Sequence, residues 1–210
     1  MIGMINFMKV FVTLMMVVHV AHAQNIEDDF EGSGSISDWI GDDCVINTGL
    51  TNPFQQGINT SATVMEYSDQ GGLYANTRFE TNTNIDIGAK NGFRLKVYLP
   101  SNRITGNQPN QISLKLQNGD LEEPWSTQCE VIKPLVSDRW QEVTFDFVND
   151  PFINLNGGSP PPSMRTDFNR VVIQINGENN MDEVVVYLDD LSFETIETND
   201  PIYDRLVWSD

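Results

Sequence analysis

Phe93-Arg94-Leu95-Lys96-Val97-Tyr98-Leu99 decides the fold of this chain. Apolar residues at 93, 95, 97 and 99 alternate with outward residues, the period of a half-buried β-strand. Ile112-Ser113-Leu114-Lys115-Leu116-Gln117 and Val143-Thr144-Phe145-Asp146-Phe147 repeat that period, and Val171 to Ile175 and Val184 to Phe193 follow. Upstream, Ile26 to Glu31, Ala62 to Tyr67 and Leu73 to Phe79 are further strand candidates. Turn-forming stretches separate them: Gly32 to Ser35, Gln70-Gly71-Gly72, Asn118-Gly119-Asp120 and Asn156 to Pro162. No segment after the leader carries a helical period. The expected fold class is all-β, a jelly-roll β-sandwich. Asn149 to Asp167, with Gly157-Gly158 and Pro160-Pro161-Pro162, is long for a hairpin connection and reads as a mobile loop.

Residues 1–23 read as a signal peptide. Lys9 precedes an apolar run from Val10 to Val20 that is too short to span a bilayer, and Ala21-His22-Ala23 has small-x-small cleavage character. Cleavage is expected after Ala23, which places the mature chain outside the cytoplasm: secreted, periplasmic or at the cell surface. Both histidines, His19 and His22, leave with the leader. That excludes Ser-His and Cys-His nucleophiles and His-ligated zinc or iron. Losing Lys9 makes the formal charge of −18 one unit more negative. So acidic a chain repels nucleic acid and anionic membrane surfaces. The expected partner is a neutral polysaccharide, met by a monomer. Cys44 and Cys129 face an oxidising compartment, and their positions in the sequence leave a bridge and two separate thiols both open.

After Phe193 the alternation dissolves into a linker over Glu194 to Pro201. The sandwich is therefore expected over 24–194, and 195–210 as linker and start of a following domain. The tail Arg205-Leu206-Val207-Trp208-Ser209-Asp210 resembles the strand that opens the catalytic sandwich of family-sixteen glycoside hydrolases, especially bacterial laminarinases. The Glu-x-Asp-x-x-Glu run of that family occurs nowhere in the chain, so the paired carboxylates of retaining chemistry are missing. Four ordered segments resemble the β-sandwich modules that precede such enzymes in Bacteroidetes. They are Asp29-Phe30-Glu31, Asn52-Pro53 through Gly57-Ile58-Asn59-Thr60-Ser61, Trp140 to Phe147, and Val186-Tyr187-Leu188-Asp189-Asp190-Leu191. The resemblance implies a galactose-binding-like sandwich that holds polysaccharide. It also implies paired first and last strands whose carboxylates hold a structural calcium.

Asp29 and Glu31 share a face if the strand alternates there, and Asp189 lies in phase with Leu191 and Phe193, so these three are the expected calcium ligands. Sugar rings stack their C–H faces on flat side chains while polar neighbours bond the hydroxyls. Trp125 stands in the polar loop Leu121 to Ser126, outside any core periodicity. Tyr74 shares a strand face with Asn76 and Arg78. These four are the expected ligand-binding residues. Trp140 and Trp39 are expected to pack in the core. Asn52 to Ser61 is expected to form a loop that bonds its own backbone.

The reading is a non-catalytic carbohydrate-binding module that targets an appended glycoside hydrolase to a neutral polysaccharide. The resemblance and the charge together favour a β-1,3-glucan such as laminarin, with an agar-type galactan next. A spacer sandwich without a sugar site is the alternative. A lyase is disfavoured by the missing histidine and the negative charge.

Overall fold

The computed structural model describes residues 24–197. The expected signal peptide and the tail at 205–210 lie outside the described residues. Twelve strands in the described residues form two antiparallel sheets. Sheet I contains β1 (Glu27–Asp28), β3 (Cys44–Thr51), β4 (Thr63–Gln70), β6 (Gly92–Tyr98), β9 (Trp140–Asp146) and β12 (Glu183–Glu194). Its order is β3-β4-β12-β6-β9, with β1 beside β12. Sheet II contains β2 (Ile40–Asp42), β5 (Asn76–Glu80), β7 (Gln111–Gln117), β8 (Cys129–Pro134), β10 (Phe152–Asn154) and β11 (Arg170–Ile175). Its order is β10-β8-β7-β11-β5-β2. The chain is an all-β sandwich, as the alternation predicts. The first and last strands pair, Glu27 opposite Ser192 and Asp28 opposite Leu191.

Alternation assigns each side chain its layer. From sheet I, Phe93, Leu95, Val97, Phe145, Val186 and Leu188 point inward, and Leu114, Leu116, Val131, Val171 and Ile173 meet them from sheet II. Burying each such side chain contributes about 1.5–3 kcal/mol. Trp39 leans on this core between Phe30 and Phe79, its ring centroid 5.7 and 4.9 Å from theirs.

Sheet I has a second apolar layer on its other face. Tyr187, Tyr98 and Trp140 stand side by side across β12, β6 and β9. Together with Val64 and Val185 they form a cluster separate from the main core. Trp140 is buried as expected, but here rather than between the sheets. The 52–61 loop covers the patch. Phe54 stacks on Tyr98 at 4.1 Å, and Trp140 Nε1 donates to Phe54 O at 2.7 Å. The loop also bonds itself as expected. Asn52 Nδ2 donates to Ser61 O, Asn52 Oδ1 accepts from Phe54 N, and Asn59 Oδ1 accepts from Ser61 N.

Four strands, β2, β3, β8 and β10, are not legible in the sequence. The loop expected to be mobile, 149–167, carries β10 and a 3-10 turn at Pro162–Met164. Arg165 anchors it: Nη1 donates to Thr127 O at 2.6 Å and the guanidinium lies 4.0 Å over the Phe168 ring.

Candidate functional site

The outer face of sheet II carries a groove of 770 Å³. That volume lies within the range of ligand sites. Cross-strand register builds its floor. Arg78 of β5, Val172 of β11 and Lys115 of β7 stand in one row. The next row runs Glu80, Arg170 and Gln117. Gln117 Nε2 extends it by donating to Gln128 Oε1 at 3.0 Å.

Aromatic residues stand at the two ends of this floor. β5 and β7 both run antiparallel to β11, so they point the same way. Tyr74 precedes the start of β5 and Trp125 lies in the turn after the end of β7, which puts the backbone that carries each ring at opposite ends of a floor about 16 Å long. Tyr74 is 51% exposed and Trp125 54%, high values for such large apolar rings. Both are held firmly from behind. Trp125 rides a 3-10 turn, Pro124–Thr127, whose Thr127 hydroxyl donates to Pro124 O and whose end is closed by Gln128 N donating to Trp125 O. Tyr74 follows a turn in which Asp69 Oδ1 accepts from Gly71 N and Gly72 N. Gly71 has φ +91°, and a Cβ at Gly72 would stand 2.3 Å from Asp43 O, so both positions require glycine. Asn76 Nδ2 donates to Tyr74 O at 2.8 Å and holds the turn against the sheet.

Every cation of the floor has a carboxylate partner. Arg78 Nε donates to Asp42 at 2.6 Å and Nη1 to Glu80 at 3.1 Å. Arg170 donates to the same Glu80 oxygen through Nε and Nη2 at 3.1 and 2.5 Å. Lys115 pairs with Glu178 and, at 3.6 Å, with Glu130. The groove therefore presents amide and guanidinium donors without uncancelled positive charge.

The structure brings all four expected ligand residues, Tyr74, Asn76, Arg78 and Trp125, to the lining of this one groove. It adds Lys115, Gln117, Gln128 and Arg170, which sequence reasoning missed. No signal in the sequence marks Lys115: it lies in the outward phase of its strand, where a solvated lysine is ordinary. Only the structure shows it 2% exposed and enclosed by the carboxylates that answer its charge.

Cys44 lies behind the groove, its thiol donating to Asn76 O at 3.1 Å. Cys44 and Cys129 are both free, and burial pushes each thiol up to about 12.

The expected calcium ligands are not brought together. β1 ends at Asp28 and Phe30 has φ +55°, so alternation stops before Asp29 and Glu31 can share a strand face. Asp29 instead accepts from Glu31 N and Ser33 Oγ, both at 3.0 Å, and the Glu31 amide leads in holding its carboxyl below the usual range. Glu31 Oε1 accepts from Thr63 N at 2.9 Å. Asp189 is fully buried. Its Oδ2 accepts from Asn59 Nδ2 at 2.6 Å and its Oδ1 from Asp190 N at 2.9 Å. Asn59 cannot present its oxygen there, because Ser61 N already holds it. Calcium needs several converging oxygens. Asp189 is met by hydrogen-bond donors instead, the Asn59 amide, the Asp190 N–H and the Ser61 side chain, and no three acidic, histidine or cysteine side chains among the described residues gather as a metal centre. The geometry does not fit calcium at these three residues.

No family model matches the chain, and no curated protein matches its sequence. Solved structures match its fold. An agarase, AgWH50C, aligns over 83% of this chain and 25% of its own, with 10% identity and a TM-score of 0.54. CtCBM11 aligns over 85% of this chain and 99% of its own, with 12% identity and a TM-score of 0.53. A family 11 carbohydrate-binding module of Clostridium thermocellum, solved with a β-1,3-1,4-mixed-linked tetrasaccharide, aligns over 84% and 99%, with 14% identity and a TM-score of 0.51. This chain thus spans about a quarter of the agarase and nearly all of the other two. At these identities the likeness concerns the fold, and the chain has the β-sandwich fold of carbohydrate-binding modules.

Proposed function

We propose that the chain is a non-catalytic carbohydrate-binding module whose sheet II groove holds a neutral polysaccharide. One observation carries this reading: two half-exposed aromatic residues, each on a hydrogen-bonded turn, line one groove whose polar floor has no net positive charge. Two such rings hold an extended polymer by stacking at two points, and Asn76, Gln117 and the guanidiniums bond hydroxyls between them. The confinement of both histidines, His19 and His22, to the leader pattern, together with the absence of the family-sixteen carboxylate run, supports a binding role over an enzymatic one.

A β-1,3-glucan such as laminarin is the first expected ligand, and an agar-type galactan is the second. The mixed-linked β-glucan bound to the family 11 module supports a β-glucan. The leader pattern of residues 1–23 supports export, and the tail that resembles a laminarinase strand supports attachment to a glycoside hydrolase. Affinity electrophoresis in gels containing laminarin, mixed-linkage glucan, xylan or agarose tests the reading. Retardation by a neutral glycan that disappears in both Trp125→Ala and Tyr74→Ala is expected. No retardation by any of the four would favour a spacer module.

A further inference from the structure

Resting on the groove as the glycan site, we propose that Glu80 determines its preference for uncharged glycans by completing, with Asp42, the neutralisation of Arg78 and Arg170. Glu80 closes β5 at the edge of the floor, and a single oxygen, Oε1, accepts from Arg78 Nη1 and from Arg170 Nε and Nη2. Among the described residues it is the one acid that serves both guanidiniums. Asp42 holds Arg78 from the other side, and Arg170 has Glu80 as its ion-pair partner among the described residues.

The two arginine side chains are only 19% and 16% exposed, so water screens their charge poorly. Without Glu80, Arg170 would lose its carboxylate and Arg78 would keep Asp42 alone, so the two adjacent guanidiniums would carry one uncancelled positive charge and form a fork for a carboxylate or sulfate. Glu80 occupies that fork with the chain's own carboxylate. A uronate entering the groove has to displace Glu80 while also facing Asp42, Glu122 and Glu178, which line the same groove. An uncharged ring meets no such repulsion.

The test compares the wild-type chain with Glu80→Gln, which keeps the shape and removes the charge, against neutral glycans and polygalacturonate. Wild type is expected to be retarded by a neutral glycan and not by polygalacturonate. E80Q should gain polygalacturonate binding on the order of tenfold, fading as salt rises, and should keep its neutral ligand. Glu80→Asp, which retains the charge, should gain nothing. Glu183→Gln removes the same charge from an exposed site on sheet I, and it should gain nothing either. The role of Glu80 is overturned if wild type already binds polygalacturonate as well as neutral glycans, if E80Q gains no such binding, or if E183Q gains it equally. Neutral binding without any gain in E80Q rejects the role of Glu80 alone. No binding of any glycan by either protein rejects the groove reading itself.

Discussion

The two outer faces of this sandwich carry similar aromatic material and use it differently. On sheet I, Tyr187, Tyr98 and Trp140 form a contiguous patch that the 52–61 loop seals, with Phe54 stacked over it and the indole N–H bonded to the loop backbone. On sheet II the two aromatic residues stand at the ends of a polar floor and stay half exposed. Contiguous rings facing water would be costly, so the chain supplies its own cover. Separated rings over paired charges tolerate water and leave room for a ligand. An exposed aromatic is a binding candidate here only where the chain does not cover it.

Removing a ring from each face breaks the comparison most directly. Trp140→Ala should destabilise the fold by about 3–5 kcal/mol in urea unfolding, because it leaves a void beneath the loop and frees a buried carbonyl. Glycan affinity per folded molecule should not change, since the groove lies on the opposite face. A Trp140→Ala protein of wild-type stability, or one that folds and loses binding, contradicts the division between the faces.

Asp189, beneath the same loop, gives the next effect. Burial leads in pushing its carboxyl from 3.8 up to about 6, against bonds from Ser61 and Asn59 that pull it down. The folded state therefore holds the proton more tightly than the unfolded chain. The contribution of this group is fully present below pH 3.8 and is lost as pH rises through about 6. The loss is on the order of 3 kcal/mol. Stability measured from pH 4 to 7 in wild type and Asp189→Asn should differ in slope across that window, and parallel curves would contradict the assignment. Asn59→Ala removes the donor to this carboxylate and should cost about 2 kcal/mol, with most of the cost above pH 6.

Alternation made the buried framework legible. It found β6, β7, β9, β11 and β12 because each carries a run of apolar inward residues. It missed β3, whose edge position leaves Val45, Asn47 and Thr48 facing water rather than core, and β8, which ends on Pro134. On the candidate site, Trp125 stood out because it lies in a polar loop outside any core periodicity, and Tyr74 because alternation puts it on one face with Asn76 and Arg78. Lys115 and Arg170 did not, since a charged residue in the outward phase of a strand looks the same whether it faces solvent or a groove. Asp29 and Glu31 misled for a conformational reason. Period-2 counting assumes an unbroken strand, and the left-handed turn at Phe30 breaks it.

Trp125→Ala sharpens the comparison from the other face. The ring rests on solvent rather than core, so the unfolding free energy should change by less than about 0.5 kcal/mol. Affinity for the neutral glycan should nevertheless fall on the order of tenfold or more, the usual cost of removing an aromatic anchor. Trp140→Ala and Trp125→Ala then form a crossed pair, one costing stability and the other binding. Equal losses of both properties in either variant would show that the faces are coupled.

The smallest expected effect is that of chelation. If calcium held the 52–61 loop, EDTA would lower the melting temperature and calcium would restore it. The loop is instead pinned by Asn59 Nδ2 on Asp189 and by Thr63 N on Glu31, bonds that need no cation. EDTA should leave the melting temperature unchanged, and calcium titration of the chelated chain should release no heat. A fall of several degrees reversed by calcium would mean that Asn59 turns its oxygen inward and gives up Ser61 N. Asn59→Asp provides the positive control, because it faces Asp189 with a second buried carboxylate, and a cation is the simplest way to relieve that repulsion. Calcium-dependent melting in Asn59→Asp, and not in wild type, would show that the orientation of one amide decides whether this loop needs a metal.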